Sequence, residues 1–388
     1  KITCCTAVTD FLTFSVCFSY FTKYLFPTIF VYLAYKKGWR MKSVLKYYAK
    51  LDALLDAQIF FIALELDMFT VLSNGKTAEE LAEVISCNAD KYGSLNLGNA
   101  QSLKIFLDAL AAQGLISVDG ECYYNTDETQ RFLARSSLSY IGDVLLYRKR
   151  LSDICNEAES LSDKSSSCPV FDFTEMARIT AKEISILRKQ PLLTLIKELG
   201  IMPKKVLDLG GGSGALLIAV VESYKNCQGV LFEQKDVASI APRFIGDSPA
   251  KNRIAIMEGN FLLDDIGENY DFIIASGIFP FVPEMIEPFV KKISDALQEG
   301  GLLLVYDTAF SAEKDKARYA ARWLKGNLRR KNQQLRRSAS RYESLRMNQS
   351  PSKEIMLSAL NSVSLKEIMK GTDGLYPFIV FRKVYSDK

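Results

Sequence analysis

Histidine is absent from all 388 residues, which removes both the commonest proton-transfer side chain and the commonest metal ligand. The eight cysteines, Cys4, Cys5, Cys17, Cys87, Cys122, Cys155, Cys168 and Cys227, are scattered singly apart from the first pair, and no Cys-x-x-Cys spacing occurs. A zinc site therefore has few ligands to draw on, no metal is expected, and free thiols predict a reducing, intracellular compartment. Charge of either sign is not in excess. A net +4 demands a local patch before nucleic acid or an anionic membrane becomes a partner. What the chain does have is 48% hydrophobic residues and 24% charged ones, the balance of folded protein rather than disorder, in a length that holds two or three domains.

Residues 1–40 stand apart. FLTFSVCFSYFTKYLFPTIFVYLAY (11–35) approaches the length of a bilayer crossing and precedes Lys36, Lys37, Arg40 and Lys42, but Lys23 and Pro27 interrupt it. Three readings stay open: a membrane-proximal or spanning helix, a soluble packing helix, or an upstream extension. The expected location is cytoplasmic, with residues 11–35 as the segment through which a membrane would be met.

Residues 41–140 read as a helical, winged-helix-like domain. LDALLDAQIFFIALELDMFTVL (51–72) carries a wide apolar face that includes Leu54, Ile62, Leu66 and Phe69. Thr77 with Glu80 three residues on forms a capping box at the start of a second helix. NAQSLKIFLDALAAQGLI (99–116) predicts a third, ending at Gly114, and ISVDGECYYNT (116–126) a hairpin turning at Asp119-Gly120. Lys104 is the only base on the third helix, so DNA contact is disfavoured and dimerisation with packing over a pocket is expected. Residues 141–200 are expected to form a helical linker contributing to that pocket.

Residues 201–388 carry the chemistry. KKVLDLGGGSGALLIAVVESY (204–224) is a strand, a glycine loop and a helix; glycines there let the backbone turn sharply and approach a ligand. The next strand, GVLFE (229–233), places Glu233 where a ribose diol would be hydrogen-bonded. IAIMEGNF (254–261), YDFIIAS (270–276), GGLLLVYD (300–307) and GLYPFIVFRKV (374–384) supply further strands, and EMIEPFVKKISDAL (284–297) a helix between two of them. The alternation predicts an α/β, doubly wound, largely parallel sheet. No GK[ST] follows the loop, which argues against a phosphate loop for ATP, and the Gly-Gly-Gly-Ser-Gly pattern suits an adenosine ligand without pyrophosphate. Between the last strands, residues 313–346 place Arg318, Arg322, Lys325, Arg329 and Arg336 at helical spacing. A solvated face, anionic lipid, an acidic substrate and RNA are the readings of that helix, in descending order.

ALELDMFTVL, TAEELA, ALAAQGLI, VLDLGGGSG, GVLFE, EGNF and ALQEGGLLLVYD occur in an order that resembles the small-molecule O-methyltransferases that use S-adenosylmethionine, the group of the acetylserotonin and plant phenolic enzymes. The resemblance implies a Rossmann-like methyltransferase domain behind an N-terminal dimerisation domain, a homodimer, and a small-molecule acceptor. It implies that Asp208, Gly210, Gly211, Gly212 and Glu233 hold the cofactor, with Glu233 on the ribose and Asn260 and Phe261 beside the adenine. Ser276 falls where many members have a lysine near the cofactor. The family's catalytic histidine position is Pro280, and Phe281 stands in place of the Asp that follows it, so the usual base is missing. Asp307, which matches the carboxylate that normally orients that histidine, is the first alternative base and Glu284 the second. The expected function is methyl transfer to a small molecule without a histidine base; the alternative is a protein of the same fold that binds S-adenosylmethionine for a non-methylating or non-catalytic role.

Overall fold

The computed structural model describes residues 41–87, 99–150, 172–282, 285–307, 310, 353–374 and 376–385. The hydrophobic segment 11–35, the basic segment 313–346 and Glu284 lie outside the described residues. The chain folds as two compact units divided between Thr126 and Asp127. That division falls earlier than the expected boundary at 140, and the described residues 127–150 and 172–200 lie in the second unit.

In the first unit, helix α1 spans Met41–Glu65 and a short α2 spans Met68–Val71. The single helix expected over 51–72 is broken at Asp67, whose φ of 55° is left-handed. Aspartate tolerates that conformation through local hydrogen bonding, and here its Oδ1 accepts the Thr70 hydroxyl at 2.6 Å. Helix α3 (Ala78–Ser86) starts on the expected capping box: the Glu80 amide donates to Thr77 Oγ1 at 3.2 Å, and the Thr77 amide to Glu80 Oε2 at 3.0 Å. Helix α4 (Ala100–Ala112) leads into the antiparallel strands β1 (Ile116–Asp119) and β2 (Cys122–Asn125), the expected hairpin. Lys104 pairs with Asp108 at 3.1 Å, and the Tyr123 hydroxyl donates to the same carboxylate at 2.6 Å.

The second unit is built on a seven-stranded sheet. Helix α5 (Phe173–Glu183) continues through a π-helical turn, Ile184–Arg188, into α6 (Lys189–Glu198). Then come β3 (Lys205–Leu209), α7 (Ala215–Ser223), β4 (Gln228–Glu233), β5 (Ile254–Glu258), β6 (Tyr270–Ser276), α8 (Ile286–Ala296), β7 (Leu297–Tyr306), α9 (Lys353–Asn361), β8 (Leu365–Thr372) and β9 (Pro377–Lys383). Strand order is β5-β4-β3-β6-β7-β9-β8, with β3 to β7 parallel and the last two antiparallel. The expected doubly wound sheet is therefore present, with β8 as an addition the sequence reading did not contain. Both faces are covered, so central strands are apolar throughout. Leu207, Leu209, Ile273, Ala275, Leu303 and Val305 face one core with α8 and α9. Val206, Phe272, Ile274, Leu302 and Leu304 face the other with α6 and α7. From β3 the order runs outward through β4 and β5 on one side and through β6 and β7 on the other. This is a topological switch point, and the crevice beyond the carboxyl ends of β3 and β6 is where such sheets bind ligands.

Among the described residues, no helix is long and apolar enough to cross a membrane. Cys87, Cys122 and Cys227 are free thiols, and burial pushes that of Cys227 up to about 12.

Candidate functional site

At the switch point the chain leaves β3 through Gly210, Gly211 and Gly212. Gly210 and Gly212 have φ of 68° and 60°, a left-handed backbone that other residues enter at a cost. The loop is tightly walled. A Cβ on Gly210 would lie 2.5 Å from Ile278 Cγ2, and one on Gly211 2.4 Å from Asp208 Cγ. A Cβ on Gly212 would come within 3.2 Å of Ala177 Cβ on α5.

Glu233 ends β4 beside this loop. Its Oε2 accepts the Gly212 amide at 2.9 Å and its Oε1 accepts the Gln234 amide at 2.7 Å. The carboxyl group is buried, and desolvation raises its pKa against the opposing pull of those two amides. Asp208 is more deeply enclosed, at 1% exposure, and neither of its oxygens makes a hydrogen bond of full geometry. Burial and then the neighbouring Glu233 charge raise it to about 7, against weaker pulls from the Leu217 amide and Arg188. Ser213 Oγ, in the same loop, is also buried without a partner. Buried polar atoms left in this state cost stability and point to a ligand that satisfies them.

Beyond β5, Asn260 and Phe261 form the next wall. The Asn260 side-chain oxygen accepts the Leu262 amide at 2.9 Å, which leaves it one lone pair and its amide nitrogen for anything else. Phe261 is 6% exposed and packs 5.5 Å from the Phe289 ring, so it belongs to the core as well as the wall. Lys292 of α8 fixes this segment, donating to the carbonyls of Phe261, Leu262 and Asp264 at 3.2, 3.0 and 2.8 Å.

Residues 276–282, after β6, are almost without chemistry. Ile278 covers Gly210, and Phe279 is fully buried 5.7 Å from Phe289. Pro280 sits in a single 3-10 turn, and Phe281 meets Phe173 edge-on at 5.5 Å. Only Ser276 offers a polar side chain, and its hydroxyl accepts Arg188 Nη1 at 3.3 Å. Asp307, after β7, is buried, and its amide donates to the Pro377 carbonyl at 3.2 Å.

The sequence reading missed two residues in this neighbourhood, Arg188 and Lys292. Lys292 lies on the expected helix, and its three carbonyl partners are 28 to 31 residues away. Arg188 bonds Ser276, 88 residues away, and Asp373, 185 residues away, and no local pattern encodes such partners.

A doubly wound sheet with a glycine loop at its switch point and a carboxylate ending the adjacent strand is the arrangement of Rossmann-like folds that bind nucleosides. The donor set fits an adenosine cofactor with an amino-acid tail: a carboxylate, a glycine-lined approach and the orphaned oxygens of Asp208 and Ser213. Residues 171–349 match the family model described as O-methyltransferase domain. The chain is 26% identical to acetylserotonin O-methyltransferase of Bos taurus over 292 residues, 70% of this chain and 81% of that one. It is also 26% identical to the N,N-dimethyltransferase OxyT of Streptomyces rimosus over 267 residues, 65% of this chain and 74% of OxyT. Among solved structures, human N-acetylserotonin methyltransferase in complex with SAM superposes with a TM-score of 0.60, covering 89% of this chain and 98% of that one at 19% identity. The resemblance read from the motifs is thus borne out, and the second unit has the fold of the S-adenosylmethionine-dependent O-methyltransferases.

Proposed function

We propose that the protein is an S-adenosylmethionine-dependent methyltransferase that acts on a small molecule and uses no histidine base. The observation that carries this reading is the Glu233–Gly212 hydrogen bond, which joins the ribose-type carboxylate to the glycine loop beside the orphaned Asp208. Asp208, Gly210, Gly211, Gly212 and Glu233 would hold the cofactor, with Asn260 and Phe261 beside its base and Ser276 near its tail. The chemistry such a cofactor supplies when bound is an electrophilic methyl group. The apolar wall Ile278–Val282 excludes water from the crevice and orients rather than ionises. An acceptor on this wall is therefore already nucleophilic, as an amine, a carbon or an ionised oxygen, or it gives its proton to Asp307. OxyT, a relative named for N-methylation, supports an acceptor that needs no strong base. A second copy of the chain is the partner proposed for α1, which exposes Leu45, Tyr47, Tyr48, Leu51, Leu54 and Leu55. Pro280 favours the alternative, a cofactor-binding protein without methylation, because proline cannot move a proton.

Calorimetry with S-adenosylmethionine separates these readings from an unrelated role. Binding is expected, and Glu233→Ala should weaken it by ~1–3 kcal/mol. No binding at millimolar concentration excludes both cofactor readings. With binding in hand, Asp307→Asn should slow methylation strongly; an unchanged rate removes Asp307 as the base.

A further inference from the structure

Arg188 closes the π-helical turn and is 4% exposed. Its guanidinium is caged between two aromatic rings, the Cζ lying 4.3 Å from the Tyr306 centroid and 4.7 Å from that of Tyr376. Nε forms an ion pair with Asp373 at 2.7 Å, the two side chains being 5% and 1% exposed. Nη1 reaches the Ser276 hydroxyl, and Nη2 is buried with no partner. A structural arginine normally spends all of its donors, because a buried charged donor left unmade costs more than a neutral one. The stacked tyrosines and the Asp373 pair hold the fork rigid, as a preorganised site for a planar anion requires.

What the fork faces follows from the sheet. Asp208 and Ser276 belong to neighbouring strands, Asp208 being level with Ile274, and their side chains lie on the same side of the sheet. One strand spacing of ~4.8 Å and a two-residue rise of ~6.6 Å therefore separate Asp208 from the residue that Arg188 bonds. A buried carboxylate with no hydrogen bond of full geometry and a guanidinium nitrogen without an acceptor thus belong to one neighbourhood beside the glycine loop, close enough for the Arg188 charge to pull on Asp208. Their signs complement an α-ammonium and an α-carboxylate.

We propose that Arg188 is a carboxylate anchor, its Nη2 receiving the carboxylate of the cofactor's amino-acid end while Asp208 faces the ammonium. This inference rests on the cofactor reading above and adds a residue and a charge to it. It predicts selectivity for adenosine ligands that keep the amino-acid tail.

The test is calorimetric titration with S-adenosylhomocysteine and with 5′-methylthioadenosine, which lacks the tail. Arg188→Met should weaken S-adenosylhomocysteine at least tenfold and methylthioadenosine by less than about twofold, narrowing the gap between them. Since Arg188→Met strands Asp373, the double variant Arg188→Met/Asp373→Asn and the charge-keeping Arg188→Lys are measured beside it. The double variant should show the same narrowed ratio, and Arg188→Lys a smaller loss. A ratio equal to wild type in any folded variant lacking the arginine charge overturns the anchor, as does an equal loss of both ligands. Failure of the wild type to bind either ligand would instead remove the cofactor reading itself.

Discussion

The Gly212 amide donates to Glu233 Oε2 across 2.9 Å, so one carboxylate both ends β4 and fastens the loop that leaves β3. Loop and carboxylate form a unit, and disturbing either should disturb the other. Glu233→Ala should therefore speed hydrogen exchange of the Gly212 amide as well as weaken cofactor binding. Exchange as slow as in the wild type would show that the loop holds its shape without the carboxylate.

Asp208 prefers its proton in the folded state, at about 7 against an ordinary 3.8. The folded chain thus binds more protons than the unfolded one between these values, and stability falls as pH rises from about 4 to about 7. Asp208→Asn removes that slope. Denaturant titrations should show the variant gaining on wild type by up to ~4 kcal/mol across this window, with no further gain above it. Parallel curves would mean that Asp208 is ionised throughout.

Gly210→Ala places a methyl group 2.5 Å from Ile278 Cγ2 in a left-handed backbone. Strain and overlap together should cost ~2–4 kcal/mol, read as a lower unfolding midpoint. Adding Ile278→Ala should recover the overlap part only. A neutral Gly210→Ala would show that the loop opens freely.

Lys292→Met leaves three carbonyls of the 261–264 segment without their donor. Stability should drop by ~1–3 kcal/mol, and adenosine and S-adenosylhomocysteine should weaken by the same factor, because the segment would border the base and not the tail. Unequal losses would misplace that wall.

What the sequence made legible is local. Thr77 and Glu80 announce α3 because both hydrogen bonds of the box close within one turn. VLDL, GVLFE and YDFIIAS announce strands because burial on both faces forces continuous apolar runs. The glycine loop and Glu233 could be placed because their separation along the chain is set by one strand–helix–strand unit. Asp67 broke an otherwise good helical pattern, since its left-handed turn leaves no mark on apolar spacing. Strand β8 was missed because LKEIMKGT buries only Leu365 fully, and an edge strand with little burial shows no alternation. Arg188 was out of reach because its meaning lies in Ser276, Tyr306, Asp373 and Tyr376, brought together only by the finished sheet.

Asp373 and Tyr376 sit in the turn between β8 and β9, and Asp373 pairs with Arg188. The surroundings of Arg188 are thus completed by a residue 185 positions further along the chain. A copy lacking that turn would keep the glycine loop yet lose the carboxylate that pairs with Arg188. Ligand capture at this site would then report that the β8–β9 turn had closed over Arg188.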